Sequence, residues 1–171
     1  AFTAIETGIL MAQECYEKGY QLLCVGEMGI GNTTSTAAMT AALLHLPAEQ
    51  VTGRGAGLSS EGFERKIAAI RQAIAINQPN ANDPIDVLHK VGGLDIAGMV
   101  GLYLGGAIYG LPVVVDGVIA CAAALCAVRI CPAVRDYMLV SHQSEEPAGA
   151  ILLEALHAKP FITAGMRLGE G

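Results

Sequence analysis

From Asp95 to Asp116 the chain carries no charged residue between the two aspartates. An apolar run of that length is either a bilayer-spanning helix or a deeply buried part of a globular core. Two helix-packing glycine spacings, Gly101/Gly105 and Gly106/Gly110, lie inside it and suit both readings. Gly110-Leu111-Pro112 decides between them. A glycine and a proline this close together stop a helix, and the three valines that follow favour a strand. The run therefore divides into a buried helix and a short internal strand, Pro112 to Asp116, with no membrane span. Its flanks agree, because both are acidic where membrane anchoring favours basic ones.

Strand-then-helix patterns recur along the chain. Residues 4–18 have amphipathic helical spacing, and Gln21 to Val25 is an apolar strand ending at Gly26. Thr33 to His45 reads as a helix stopped before Pro47. Ser59 or Ser60 caps another that runs to about Asn77. Asp86 to Lys90 begins a short helix that Gly92-Gly93 ends. Residues 118–130 form an Ala/Cys-rich buried helix, Tyr137 to Val140 a strand, and Pro147 to His157 a helix. Phe161 to Gly171 is an extended segment leading into a Gly-Glu-Gly turn. Alternation of this kind predicts an α/β fold: a parallel sheet with helices on both faces, three-layered and Rossmann-like. Leu22-Leu23-Cys24-Val25 and Val113-Val114-Val115 fit strands buried on both sides. Residues 1–171 read as a single α/β domain without an internal linker, and the ending predicts a piece of a longer protein.

Hydrophobic residues make up 53% and charged residues 15%, which excludes a disordered chain. The net charge of −6 argues against a nucleic-acid partner, because neutralising many phosphates needs a basic surface. One phosphate is still within reach: Arg54, Arg65, Lys66 and Arg71 fall in a single stretch. The odd number of cysteines, 5, with apolar neighbours predicts reduced thiols in the cytoplasm. No C-x-x-C or H-x-x-x-H spacing suggests a metal. No cleavable leader is expected, the first basic residue being Lys18.

In parallel α/β sheets, ligands bind beyond the carboxyl ends of the strands. The residues there include Glu27, Asp116 and the cluster Ser141-His142-Gln143-Ser144-Glu145-Glu146. The most informative loop is Gly26-Glu27-Met28-Gly29-Ile30-Gly31-Asn32-Thr33-Thr34, after a strand and before a helix. Such glycines can turn backbone N–H groups toward an anion at a helix N-terminus. Two phosphate fingerprints nearly match. A dinucleotide loop starting at Gly29 lacks its third glycine, replaced by Thr34, and a P-loop from Gly26 to Thr33 has Asn32 in place of its lysine. A tight turn with an Asn or Thr cap fits the loop equally well. A second loop, Gly53-Arg54-Gly55-Ala56-Gly57, precedes a helix in which Lys66 lies about two turns in, close enough to reach back to a ligand. A charged solvent-facing helix is the plainer reading of the same cations. A triad of Ser144, His142 and Asp116 has no G-x-S-x-G elbow to support it.

Taken together, the Gly26–Thr34 and Gly53–Gly57 loops, Asp116-Gly117 and Met166-Arg167-Leu168-Gly169-Glu170-Gly171 resemble the nicotinate-nucleotide:dimethylbenzimidazole phosphoribosyltransferase family, and the likeness covers the whole chain. The resemblance implies a homodimeric α/β enzyme of cobalamin nucleotide-loop synthesis. It implies transfer of phosphoribose from nicotinate mononucleotide to 5,6-dimethylbenzimidazole, without metal or organic cofactor. Glu170 is then the catalytic base, and Glu27 holds the ribose or supports the acceptor. Gly29, Gly31, Asn32, Gly55, Lys66, Asp116 and Ser144 are then substrate-binding residues. Members are about twice this long, so the chain is expected to be a fragment of the large domain, lacking N-terminal and C-terminal parts. The competing reading is a dinucleotide-dependent oxidoreductase using the Gly29 loop. It requires an acidic residue about twenty positions on at a strand end, where the chain offers Glu49 after Pro47.

Overall fold

The computed structural model describes residues 1–55 and 57–166. The chain runs α1 (Phe2–Glu17), β1 (Leu23–Val25), α2 (Thr33–Leu44), α3 (Ala48–Val51), α4 (Ser60–Asn77), α5 (Pro84–Val91) and α6 (Leu94–Tyr109). It continues through β2 (Val113–Val115), α7 (Val118–Ile130), a 3-10 turn (Pro132–Tyr137), β3 (Met138–Val140), β4 (His142–Ser144), α8 (Ala148–Ala155) and β5 (Ile162–Met166). The α/β reading holds: parallel strands flanked by helices. α3, the 3-10 turn and β4 are too short to show a periodic pattern, and the sequence does not announce them. α5 begins at Pro84 rather than Asp86, because the Asp83 carboxylate caps it, accepting from Ile85 N–H at 3.0 Å and Asp86 N–H at 3.1 Å.

β1, β2 and β3 form one parallel sheet in that order, with Leu23 beside Val113 beside Met138 and Val25 beside Val115 beside Val140. β4 follows β3 after Ser141 and pairs in parallel with β5. The N–H groups of Phe161 and Ile162 donate to the carbonyls of Val140 and Ser141, both at 3.0 Å, so β5 runs on from the β3 edge. Gly26, Asp116 and Ser141 therefore stand side by side just past the sheet's carboxyl edge.

Burial alternates along each strand. Leu23, Val25, Val113, Val115, Met138 and Val140 face the core, but the registered row Cys24, Val114 and Leu139 is exposed or half-buried. The two-sided burial that the apolar runs predict is met on one side only among the described residues. The core behind the covered side is built on α7, where every residue from Ile119 to Ala127 is buried. A helix apolar all round has to be a core helix. Tyr103 of α6 satisfies its buried hydroxyl on the Ala120 carbonyl at 3.3 Å.

The glycines of the uncharged run serve helix packing in this fold. A Cβ at Gly101 would lie 1.9 Å from the Ile5 carbonyl oxygen, and one at Gly8 2.1 Å from the Gly98 carbonyl oxygen. α1 and α6 thus touch backbone to backbone. No helix among the described residues is long and apolar enough to cross a membrane. All five cysteines are free thiols, but Cys24 and Cys131 are exposed and only Cys121 and Cys126 are buried. Burial pushes both buried thiols up to about 12.

Candidate active site

The Lys66 side chain is the centre of the site. Lys66 projects from the second turn of α4, whose start is fixed by Ser59 accepting from the Gly62 N–H at 3.1 Å. It is only 8% exposed. Its ammonium donates to Thr33 Oγ1 at 2.9 Å and to the Gly53 carbonyl at 3.0 Å. Thr33 is the first residue of α2, immediately after the first glycine loop, and Gly53 opens the second. One buried cation therefore joins both loops, and the charged solvent-facing reading fails for it. A Cβ on Gly55 would lie 3.8 Å from the same ammonium. Burial pushes the Lys66 pKa below its ordinary value, and the negative charge of Glu146 opposes that shift.

Two neighbouring cations, Arg65 and Arg71, behave as ordinary surface charges. Arg65 lies 4.0 Å from Glu61 on an exposed helix face, and Arg71 pairs with Glu49. Arg54 lays its guanidinium 5.0 Å from the Phe63 ring centroid and donates to the Leu58 carbonyl at 2.9 Å. Arg54 and Phe63 wall a cavity of about 370 Å³, lined also by Thr52, Gly53, Gly55, Glu145, Glu146 and Pro147.

The first glycine loop is arranged differently from the expectation. Gly29 and Gly31 do adopt the left-handed backbone that glycine allows, with φ of 81° and 80°. The Gly29 N–H, however, donates to the Glu27 carboxylate within its own loop. Asn32 occupies the N-cap position of α2 without a side-chain capping bond. Its amide instead donates to Asp95 Oδ2 at 2.6 Å, tying the loop to the start of α6, and its buried Oδ1 has no partner among the described residues.

A second cluster stands at the sheet edge beside Gly26. Asp116 Oδ2 is 3.3 Å from where a Gly26 Cβ would be, so a side chain there would crowd the carboxylate. Asp116 Oδ1 is 3.8 Å from His142 Nδ1. Ser141 Oγ lies 2.8 Å from that same nitrogen and donates its own proton to the Val115 carbonyl at 2.9 Å. Both neighbours lie on one ring nitrogen, whereas a nucleophilic triad uses both, so the geometry lends the Ser/His/Asp arrangement no support. Ser144 is not on the histidine either: its Oγ accepts from the Glu146 N–H at 3.2 Å.

The structure thus brings Lys66, Gly55, Thr33 and Gly53 together, groups Asp116 with His142, and keeps Glu27 with Gly29. Glu170, one of the last five residues, lies outside the described residues. Sequence reasoning assigns no role to Thr33, Gly53 or Glu146. Thr33 occupies the hydroxyl position of the near-miss P-loop and Glu146 the polar run after β3, which are the two signals that mark them. No group of three or more His, Cys, Asp or Glu able to hold a metal ion occurs among the described residues.

The fold and site together define an α/β protein in which a buried lysine joins two glycine loops. Residues 1–171 match the family model described as phosphoribosyltransferase. The chain is 54% identical over 171 residues to the nicotinate-nucleotide–dimethylbenzimidazole phosphoribosyltransferase of Halalkalibacterium halodurans, covering 100% of this chain and 48% of that protein. It is 48% identical to the protein of the same name from Acetivibrio thermocellus, covering 100% of this chain and 49% of that one. The crystal structure of CobT from Thermus thermophilus superposes with a TM-score of 0.91 at 43% identity, over 98% of this chain and 50% of that one. The chain belongs to the nicotinate-nucleotide–dimethylbenzimidazole phosphoribosyltransferase family. It spans about half the length of the curated relatives it matches. The oxidoreductase alternative falls with this result and on geometry: Thr34 lies in the first turn of α2, and Glu49 sits in α3 bonded to Arg71, away from any strand end.

Proposed function

We propose that the full-length protein transfers phosphoribose from nicotinate mononucleotide to 5,6-dimethylbenzimidazole, releasing nicotinate and α-ribazole 5′-phosphate with inversion at the anomeric carbon. The observation that carries the reading is the Lys66 ammonium buried between the two glycine loops. A cation there suits a phosphate monoester, and the family name supplies the two substrates. The nicotinate leaving group departs from a pyridinium that is already cationic, so it needs no general acid. The incoming benzimidazole must lose its N–H proton and needs a base. Glu170 is that base. Glu27 is the second carboxylate, set at the ribose, where positive charge develops as the glycosidic bond breaks. Lys66 and the Gly55 backbone hold the phosphate, with Gly31 and Ser144 as further contacts, while Gly29 holds Glu27 in place through its N–H. Asn32 braces the loop, and Asp116 faces the sugar from the β2 end. The scheme uses no metal and no organic cofactor. The enzyme acts as a cytoplasmic homodimer within cobalamin nucleotide-loop synthesis.

The test is direct. The full-length protein, incubated with nicotinate mononucleotide and 5,6-dimethylbenzimidazole, releases nicotinate and forms the α-ribazole phosphate in equal amounts by chromatography. No nicotinate release above the enzyme-free control refutes the reading. Sedimentation velocity measures the dimer separately.

A further inference from the structure

The cation at the centre of the site has an anionic neighbour that the proposed chemistry does not use. Glu146 lies in the turn between β4 and α8. Its N–H donates to Ser144 Oγ at 3.2 Å, and its carbonyl accepts from the Gly149 N–H at 2.7 Å. With its backbone so held, the side chain reaches across to the second glycine loop. A Cβ on Gly53 would fall 1.5 Å from Glu146 Oε2, so the carboxylate rests directly on the Gly53 backbone. The carbonyl of that same residue accepts from the Lys66 ammonium at 3.0 Å. Glu146, Gly53 and Gly55 line one cavity of about 370 Å³. Glu146 is also the charged neighbour that favours the protonated form of Lys66 against the effect of burial.

These contacts give Glu146 a cost and a use. A buried ammonium without an anion nearby is unfavourable, and Glu146 supplies the anion. A phosphate approaching the same ammonium enters the field of that carboxylate, which sits on the Gly53 backbone one hydrogen bond away from the lysine, and like charges repel. We propose that Glu146 is the internal counter-ion of Lys66 and competes with the substrate phosphate for it, so that the Glu146 carboxylate sets phosphate affinity. This rests on the placement of the phosphate at Lys66 made above. Glycine at position 53 is part of the device, because any side chain there would push the carboxylate away.

The experiment measures inorganic phosphate binding to the full-length protein by calorimetry, for wild type, Glu146→Gln, Glu146→Asp and Lys66→Met. Glu146→Gln removes the charge at almost constant shape, and Glu146→Asp withdraws it by one methylene. The expected result is tighter binding in both Glu146 variants, by about tenfold for Gln at low salt and less for Asp, the difference shrinking as salt is raised. Lys66→Met is expected to lose phosphate binding. Thermal melting in phosphate-free buffer identifies any variant that fails to fold, and the other Glu146 variant then decides. If wild type binds phosphate through Lys66 and a folded Glu146 variant binds no better, the counter-ion assignment is wrong and the phosphate site stands. If Lys66→Met binds phosphate as wild type does, the phosphate site itself is wrong and the inference falls with it.

Discussion

Lys66 Nζ and Thr33 Oγ1, 33 positions apart in the chain, are 2.9 Å apart in the fold, and this bond holds the start of α2 against α4. Among the described residues, Thr33 and the Gly53 carbonyl take two of the three N–H bonds the ammonium can donate. Lys66→Met in the full-length enzyme should therefore raise KM for nicotinate mononucleotide by about ten- to a hundredfold, the worth of a charge-assisted bond. The acceptor KM should move little. Steady-state kinetics with each substrate varied in turn checks this, and an equal rise in both constants would speak for general disruption.

The same lysine should shape stability against pH. Burial pushes its folded pKa below the ordinary 10.5. Between the folded value and 10.5 the unfolded chain keeps a proton that the folded protein has lost. Unfolding then takes up a proton, so raising the pH through this window stabilises the fold. Below the window Lys66 is charged in both states and its burial is a constant cost; above 10.5 it is neutral in both and the gain is complete. Urea denaturation at intervals from about pH 8 upward should show this rise in wild type relative to Lys66→Met. Parallel profiles would mean that the folded pKa is not lowered.

The order of strands and helices is legible in the sequence because most elements carry a full period or a clear stop. Pro112 after Gly110 marks the helix-to-strand change, and Ser59 marks the α4 start. Burial of the sheet is less legible. Leu22 to Val25 reads as buried on both sides, yet Leu22 and Cys24 are exposed, because an apolar run does not say whether the layer that covers its far face belongs to these residues. In the site, Lys66 is readable from its distance to a glycine loop along one helix. Its partner Thr33 and its neighbour Glu146 come from elsewhere in the chain, and only the folded topology brings them together. The glycine pattern points the Gly29 amide outward to an anion, but an acidic side chain two residues away competes for it locally.

Two alanine substitutions in α6 should act with opposite signs. At Gly101 a Cβ would lie 1.9 Å from the Ile5 carbonyl oxygen, and backbone on both sides leaves nothing soft to yield. Gly101→Ala should cost about 3 kcal/mol, the upper range for overpacking. At Gly98 the nearest atom to an added Cβ is the Ala4 carbonyl oxygen at 4.0 Å, which is free of strain. Gly98→Ala should gain up to about 1 kcal/mol from helix propensity. Chemical denaturation of both variants measures the pair. Equal effects would mean that α1 and α6 are not in backbone contact.

The two carboxylates assigned to catalysis should separate by experiment. Glu27 accepts the Gly29 N–H, so it has a loop-shaping role that a neutral amide fills poorly, because Gln offers one carbonyl oxygen where Glu27 has two charged ones. Glu27→Gln should therefore disturb ribose binding and turnover together. Glu170 stands between Gly169 and Gly171 in the sequence and is proposed as the base. Glu170→Gln should keep nicotinate mononucleotide binding and lose about a hundred- to ten-thousandfold in rate, the usual worth of a positioned base. Single-turnover nicotinate release compared with equilibrium nucleotide binding, both in the full-length enzyme, isolates the chemical step. The loss at Glu170 should be least for acceptors whose N–H is already acidic, since they need the base less. Near-normal single-turnover release in Glu170→Gln would move the base assignment to Glu27.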